Sequence, residues 1–452
     1  MHLKKVVLRD FRCFEEFEID LHPRLTVLVA ENGGGKTAVL DGIAIGLSSV
    51  LRYLSSANQR LSGPGIEDTD FRLELRYPRP QLMLKLGDVE EWGVSDYAQV
   101  VIETTAPDLK WDYWRPSATG KLPAFKTGQS DLAAYASGVL DSLNTPTPQL
   151  LPVFAYYGAR RGWIVIPERL RESKVDYTHP TSALVGALES LSDFKEMLKW
   201  FDVEEAAELR ANKGRSSEDY DASSALSGVR SAISAILGGA FENPHFNRKH
   251  KFVVESQNGS ILQVSQLSQG YQSMLAQGMD FARRLALANS HLPAPAGAPA
   301  IMLVDEIDLH LHPSWQQRVL GDLMRAFPNT QFIVTTHSPQ VLSTVRKENI
   351  RILACDENGK WTAREPATSP LARESGDALA YVMGTHPRPE IPGILPNIHA
   401  YEQLARAGRA DSAQARQIKE RLDAAGYEFG DAEQDLFKFL AHKAANATAE
   451  NL

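Results

Sequence analysis

Between Ala30 and Thr37 the chain reads AENGGGKT, and from Ile301 to Pro313 it reads IMLVDEIDLHLHP. The residue types in both runs suit chemistry on a phosphate chain. Gly33, Gly34 and Gly35 allow consecutive backbone N–H groups to curl around an anion with no Cβ in the way. Asn32 belongs to the same loop. Lys36 can reach the outer phosphates of a nucleoside triphosphate, and the Thr37 hydroxyl can hold Mg²⁺. In the second run an apolar stretch ends in adjacent carboxylates. Asp305 suits the magnesium, directly or through water, and Glu306 suits a water that must be oriented or deprotonated for attack. Together the two runs point to ATP bound on magnesium and hydrolysed.

Each run also has a plainer reading. The pattern G-x-x-x-x-G-K-[ST] expects glycine where Ala30 stands, and alanine does not take a strongly positive φ cheaply. A glycine-rich turn needs no ligand, and an acidic pair is a common strand ending. The context decides against both. RLTVLVA, Arg24–Ala30, has the make-up of a buried strand, and TAVLDGIAIGLSSVL, Thr37–Leu51, has apolar residues at helical spacing. Strand, loop and helix in that order are the setting the phosphate motif requires. TQFIVTT, Thr330–Thr336, reads as another buried strand and leads into His337. A histidine at a strand end is usually structural. This one follows Glu306 by 31 positions (337 − 306), after one helix and one strand, so the same sheet edge receives it and its imidazole can touch a γ-phosphate. His310 and His312 have an H-x-H spacing, but no Cys or third His is close by in sequence, which favours a structural role over zinc.

A third segment, QLSQGYQS at Gln266–Ser273, opens a helix that runs to Leu287. Ser268 and Gly270 at its start serve either as an ordinary N-cap or as a second anion-binding end. The residues alone favour the cap.

The elements that must position these groups are legible in outline. Phe71–Leu86 and Ala98–Thr105 alternate like strands, and Ser130–Leu143, Ser190–Arg210 and Ala222–Leu237 read as helices. NKGRSSEDYD, Asn212–Asp221, is a polar loop, and HLPAPAGAPA, His291–Ala300, is a connector into the acidic strand. The insert sustains no long heptad pattern, which excludes a coiled-coil arm. Ile350–Cys355 closes the head sheet, Glu357–Pro370 reads as a turn and linker, and Tyr401–Ala407 with Ser412–Ala425 suggest an antiparallel helical pair.

Composition limits the partners. The 452 residues carry 48 basic and 56 acidic side chains, a formal charge of −8, so no global attraction to nucleic acid exists. Two local basic stretches remain, Arg160, Arg161, Arg169, Arg171 and Lys174, then Arg248, Lys249, His250 and Lys251; a solvated face is the commoner explanation for each. Two distant cysteines, Cys13 and Cys355, exclude a disulfide framework and fit a reducing cytoplasm. No signal peptide and no apolar run long enough for a bilayer is evident.

In the order AENGGGKT, LSQG, LVDE, Asp308, His337, the motifs resemble those of ABC-type ATPase heads of the SMC/RecF group, and VVLRDFRCFEEFEIDL, Val6–Leu21, is similar to their first hairpin. The resemblance covers Met1 to about Cys355. It implies an α/β head with a mixed sheet and an antiparallel subdomain (1–180 and 245–356), a helical insertion (181–244) and a helical C-terminal region (371–452). It also implies two heads enclosing two ATP molecules. Lys36, Thr37, Asp305, Glu306 and His337 would serve one face, Ser268 and Gly270 would arrive from the partner, Asp308 would sit near the seam, and Arg12 is a candidate nucleotide contact. Gln149 is the candidate for the glutamine loop of such heads. ALAYVMGTHPRPEIPGI and PVFAYYGARR look similar to PtuA-like ATPases of Septu and retron-linked antiphage systems. That likeness implies an HNH endonuclease partner (PtuB-like) gated by ATP-dependent head association, with the C-terminal helices binding the partner or a second copy. Direct nucleic-acid binding stays open. A RecF-like repair ATPase that clamps DNA is the alternative, and a nucleotide-bound scaffold without turnover is a third reading that the intact Asp305-Glu306 pair disfavours. The tail lacks the D-x-D of a metal-dependent nuclease, so cutting is not expected of this chain.

Overall fold

The computed structural model describes residues 1–56, 59–76, 91–118, 120–159, 175–190, 194–216, 218–385, 388–430, 433–437 and 439–440. The basic stretch from Arg160 to Lys174 and the second half of the strand expected at Phe71–Leu86 lie outside these residues.

The chain opens with the hairpin β1 (Leu3–Phe11) and β2 (Phe14–Asp20), crosses into β3 (Leu25–Val29) and enters the helix α1 (Lys36–Leu54). A short pair, β4 (Leu73–Arg76) and β5 (Glu91–Val94), precedes β6 (Tyr97–Thr104), β7 (Lys110–Pro116), α2 (Ser130–Ser142) and β8 (Val153–Tyr157). Then come α3 (Phe194–Ala211), α4 (Ser224–Ile236), the strands β9 (Phe241–Phe246), β10 (Phe252–Ser256) and β11 (Ile261–Gln263), and the long helix α5 (Gln269–Ala288). The acidic strand β12 (Ala300–Val304) is followed by α6 (Pro313–Gln316), α7 (Val319–Ala326), β13 (Thr330–Thr335), α8 (Pro339–Leu342), β14 (Ile350–Cys355), β15 (Trp361–Arg364) and α9 (Ser375–Tyr381). Two more helices follow, α10 (Leu395–Arg406) and α11 (Ala413–Ala424).

The central sheet has the order β15-β14-β3-β13-β12-β8, parallel except for the edge pair β14–β15. Strands β3, β12 and β13 are buried at every position, which explains why they read as apolar runs rather than alternations. A second sheet, β2-β1-β6-β7, is antiparallel and covers α1. Close approach there explains two glycines inside a helix, each of which costs about 1 kcal/mol relative to alanine. A Cβ on Gly42 would lie 2.7 Å from a Leu8 methyl, and one on Gly46 would lie 2.5 Å from Ile102. By length and hydropathy α1 alone among the described helices could cross a bilayer, contrary to the reading of the sequence, but 78% of its apolar window is buried in this head.

Two expectations are corrected. Glu357–Pro370 is not all linker: β15 pairs with β14 and adds a sixth strand. The turn between them is set by Asp356, whose carboxylate accepts from Asn358 N–H and Lys360 N–H, and by Gly359 at φ 80°. The N-G signal in DENGK was there to be read as a hairpin. Gln149 is the second. β8 runs parallel to β12, with Val153 beside Ala300 and Tyr157 beside Val304, so Gln149 precedes the strand at the edge opposite Asp305.

The sequence reading also missed the three-stranded sheet β11-β10-β9, which lies beside α3 and α4 around Phe201, Phe246 and Phe252. The exposed residues Arg248 to Lys251 form its β9–β10 turn. The chain divides into two compact units, Met1–Met383 and Gly384–Leu452. The second has its own core, in which Ile398, Tyr401 and Leu404 of α10 meet Ile418 and Leu422 of α11; Arg388 bridges Glu402 and Glu433.

Candidate active site

The parallel register brings the C-terminal ends of β3, β12 and β13 to one edge, where ligands of open α/β sheets bind. The loop after β3 holds the expected conformation, with Gly33 and Gly35 both at φ 77°. Ala30 is not among the residues with positive φ, so its departure from the glycine pattern carries no strain. The compensation is steric: a Cβ on Gly34 would stand 2.5 Å from the Ala30 methyl. Gly35 caps α1 without any side-chain hydrogen bond, and no acidic residue occupies the first turn. The uncapped helix end fits an anion, since its first N–H groups have no intrahelical acceptors.

Lys36 is 7% exposed, and its ammonium donates to the carbonyls of Ala30 at 2.9 Å and Glu31 at 3.0 Å. Burial lowers its pKa below the ordinary 10.5, and Asp305, Glu306 and Asp308 offset part of that loss. The Thr37 hydroxyl donates to Asp305 Oδ2 at 2.9 Å. These two oxygens are the pair that could hold Mg²⁺. The other carboxylate oxygen of Asp305 accepts from the Thr335 hydroxyl at 2.6 Å, and Thr335 Oγ1 in turn accepts from Glu306 N–H at 2.7 Å. Glu306 sits at φ 49°, a left-handed conformation that a non-glycine residue adopts at a cost of about 1–3 kcal/mol. Asp308 accepts from the Thr336 hydroxyl at 2.5 Å and from His337 N–H at 3.4 Å.

A cleft of about 400 Å³ is lined by Asn32 to Thr37, Asp305, Glu306, His337, Arg12 and Cys13. Ten of the sequence-expected residues therefore meet in one place. Arg12, at φ 52°, is clamped between Asp41 at 2.7 Å and Asp70 at 2.8 Å. Burial works against its charge, but the two carboxylates outweigh burial and raise its pKa.

Ser268 and Gly270 do not join that cleft. They line a second depression with Tyr271, His310, Leu311, His312, Ser314 and Trp315. Ser268 is the N-cap of α5, accepting from Tyr271 N–H at 3.5 Å, and it remains exposed. Gly270 is there because the chain beyond Asp308 lies against it: a Cβ would meet the His310 carbonyl at 2.6 Å. His312 Nδ1 accepts from Ser314 N–H at 3.3 Å and caps α6.

Sequence reasoning missed Thr335, Asp41 and Tyr156. The tandem threonines immediately before His337 were a usable signal, since hydroxyls ending a buried strand require partners. The Tyr156–Asp41 hydrogen bond, 2.8 Å across 115 positions, left no such trace.

The chain is similar to several known proteins. A family described as "AAA domain" matches residues 5–226, and one described as "AAA domain, putative AbiEii toxin, Type IV TA system" matches residues 169–343. The chain is 26% identical to the retron Vc95 probable ATPase of Vibrio cholerae serotype O1 biovar El Tor, over 93% of this chain and 86% of that protein. It is 28% identical to the retron Ec83 probable ATPase of Escherichia coli, over 78% of this chain and 71% of that one. A shorter match, 35% identical, joins 22% of the chain to 13% of the Septu protein PtuA of Bacillus mycoides (strain KBAB4). A phosphate loop before α1, an acidic pair ending β12 and a histidine ending β13, in a chain similar to these retron ATPases, mark this protein as an ATPase.

Proposed function

We propose that the chain is the ATP-hydrolysing component of a bacterial antiphage defence complex and that ATP draws two heads face to face. Lys36 and the α1 N-terminus bind the triphosphate. Thr37 and Asp305 hold Mg²⁺, which supplies charge neutralisation on the phosphates. Glu306 orients or deprotonates the attacking water, and His337 contacts the γ-phosphate. Ser268 and Gly270 of the partner close the site, with Asp308 at the seam and Arg12 beside the nucleotide. The association of heads gates an HNH endonuclease, and the C-terminal unit, Gly384–Leu452, is the element assigned to partner binding.

The observation that carries this reading is the separation within one protomer. Ser268 and Gly270 open onto their own depression, apart from the cleft that gathers Lys36, Thr37, Asp305, Glu306 and His337. A site that uses both sets needs two chains. The retron and Septu relatives support the defence setting.

Complementation tests it. Ser268→Arg and Lys36→Ala each abolish turnover alone. Mixed in equal amounts they regain about a quarter of the parental rate, because in a twofold dimer half the pairs are mixed and each mixed pair keeps one intact site. A mixture as dead as its components removes the shared site.

A further inference from the structure

β8 ends in two consecutive tyrosines, and their hydroxyls leave opposite faces of the sheet, as alternation along a strand requires. Tyr156 donates to Asp41 on α1 at 2.8 Å. Tyr157 donates to Asp280 on α5 at 2.9 Å, and its own carbonyl accepts Asp305 N–H at 2.9 Å. One dipeptide thus touches the phosphate-loop helix, the helix that Ser268 leads and the acidic strand end.

Asp280 is 2% exposed. It lies 12 residues beyond Ser268 (280 − 268), or about 18 Å along the helix. Besides Tyr157 it accepts from Arg283 and Arg284, each at 2.7 Å, and Arg284 donates onward to the Ala183 carbonyl at 2.7 Å and the Val185 carbonyl at 2.9 Å. Burial opposes the charge on Asp280, yet the two guanidiniums more than offset it and hold its pKa below the ordinary value. Charged hydrogen bonds in so dry a setting fix one geometry, because a partly broken network strands a buried charge.

We propose that Tyr157 is a positioning residue, a crossbar that ties the placement of α5, and with it Ser268, to the occupancy of the same protomer's phosphate site. This rests on the face-to-face reading above. On that reading the triphosphate rests on α1 and its Mg²⁺ on Asp305. From there the path is Asp41 to Tyr156, or Asp305 to the Tyr157 carbonyl, and then through the Tyr157 hydroxyl to Asp280. A purely structural cluster would give stability and nothing else.

The test uses the full chain with Glu306→Gln, with and without Tyr157→Phe, and Tyr157→Phe alone for turnover. Affinity of the single chain for a fluorescent ATP analogue stays unchanged. ATP-driven association and kcat fall about tenfold with KM retained, inside the 5–150-fold span typical of coupling between sites. Added to Ser268→Ala, Tyr157→Phe has no further effect on association; an equal loss in that background marks general damage and overturns the crossbar. A folded Tyr157→Phe chain with parental association and kcat overturns it too. If Glu306→Gln itself fails to associate with ATP, the face-to-face reading falls first and the crossbar with it.

Discussion

Lys36 is buried in the candidate site and Glu306 holds a left-handed backbone conformation there. Lys36 has its pKa lowered in the folded chain, so between that value and 10.5 the unfolded chain binds more protons, and the stability of the nucleotide-free head rises with pH there. A triphosphate needs the ammonium form. ATP affinity is therefore expected to fall as pH rises through the lowered pKa, with proton uptake on binding that calorimetry in buffers of different ionisation enthalpy will measure. Lys36→Ala should abolish the uptake and weaken binding about ten- to a hundredfold, the loss of a charged hydrogen bond worth ~1.5–3 kcal/mol. Glu306→Gln keeps shape and backbone while removing the base. It should preserve ATP affinity and cut turnover by about 10²–10⁴-fold, the usual share of a positioned general base. Parental hydrolysis by Glu306→Gln would assign the water to another group.

Between elements, the contact of most consequence is that of α5 with the chain beyond β12. Gly270 lets the His310 backbone approach so closely that any Cβ falls at 2.6 Å from its carbonyl oxygen. Because that neighbour is backbone, it cannot swing aside as a side chain would. Gly270→Ala should cost about 1–3 kcal/mol in urea unfolding, as overpacking does, and should separate Ser268 from the loop that carries Asp308. Turnover would fall while nucleotide affinity of the single chain holds. A fully active, equally stable alanine variant would mean that the loop gives way freely.

At the level of the molecule, the head and the C-terminal unit have separate cores. Met1–Met383 contains every residue of the candidate site, and Gly384–Leu452 packs Tyr401, Phe429 and Phe437 among themselves. A chain ending at Met383 should fold and bind ATP with parental affinity, and should lose co-purification with the proposed HNH endonuclease. Loss of ATP binding on truncation would show that the head depends on the tail; retained co-purification would move the partner surface onto the head.

Local chemistry was legible in the residues. The phosphate loop, the acidic strand end, the α5 N-cap and the helices α1, α2, α4 and α11 follow from glycine conformation, apolar period and capping, all of which act within a few residues. The β14–β15 hairpin was equally local and was overlooked at its N-G turn. What only the tertiary structure decided were relations across long separations: Thr335 bridging Asp305 and Glu306, Arg12 held by Asp41 and Asp70, Tyr157 against Asp280, and Gln149 at the far edge of the sheet. Strand order and register set these, and neither leaves a periodic signal in a single chain. The physical reason is that a buried strand's apolar run fixes its burial but not its neighbour.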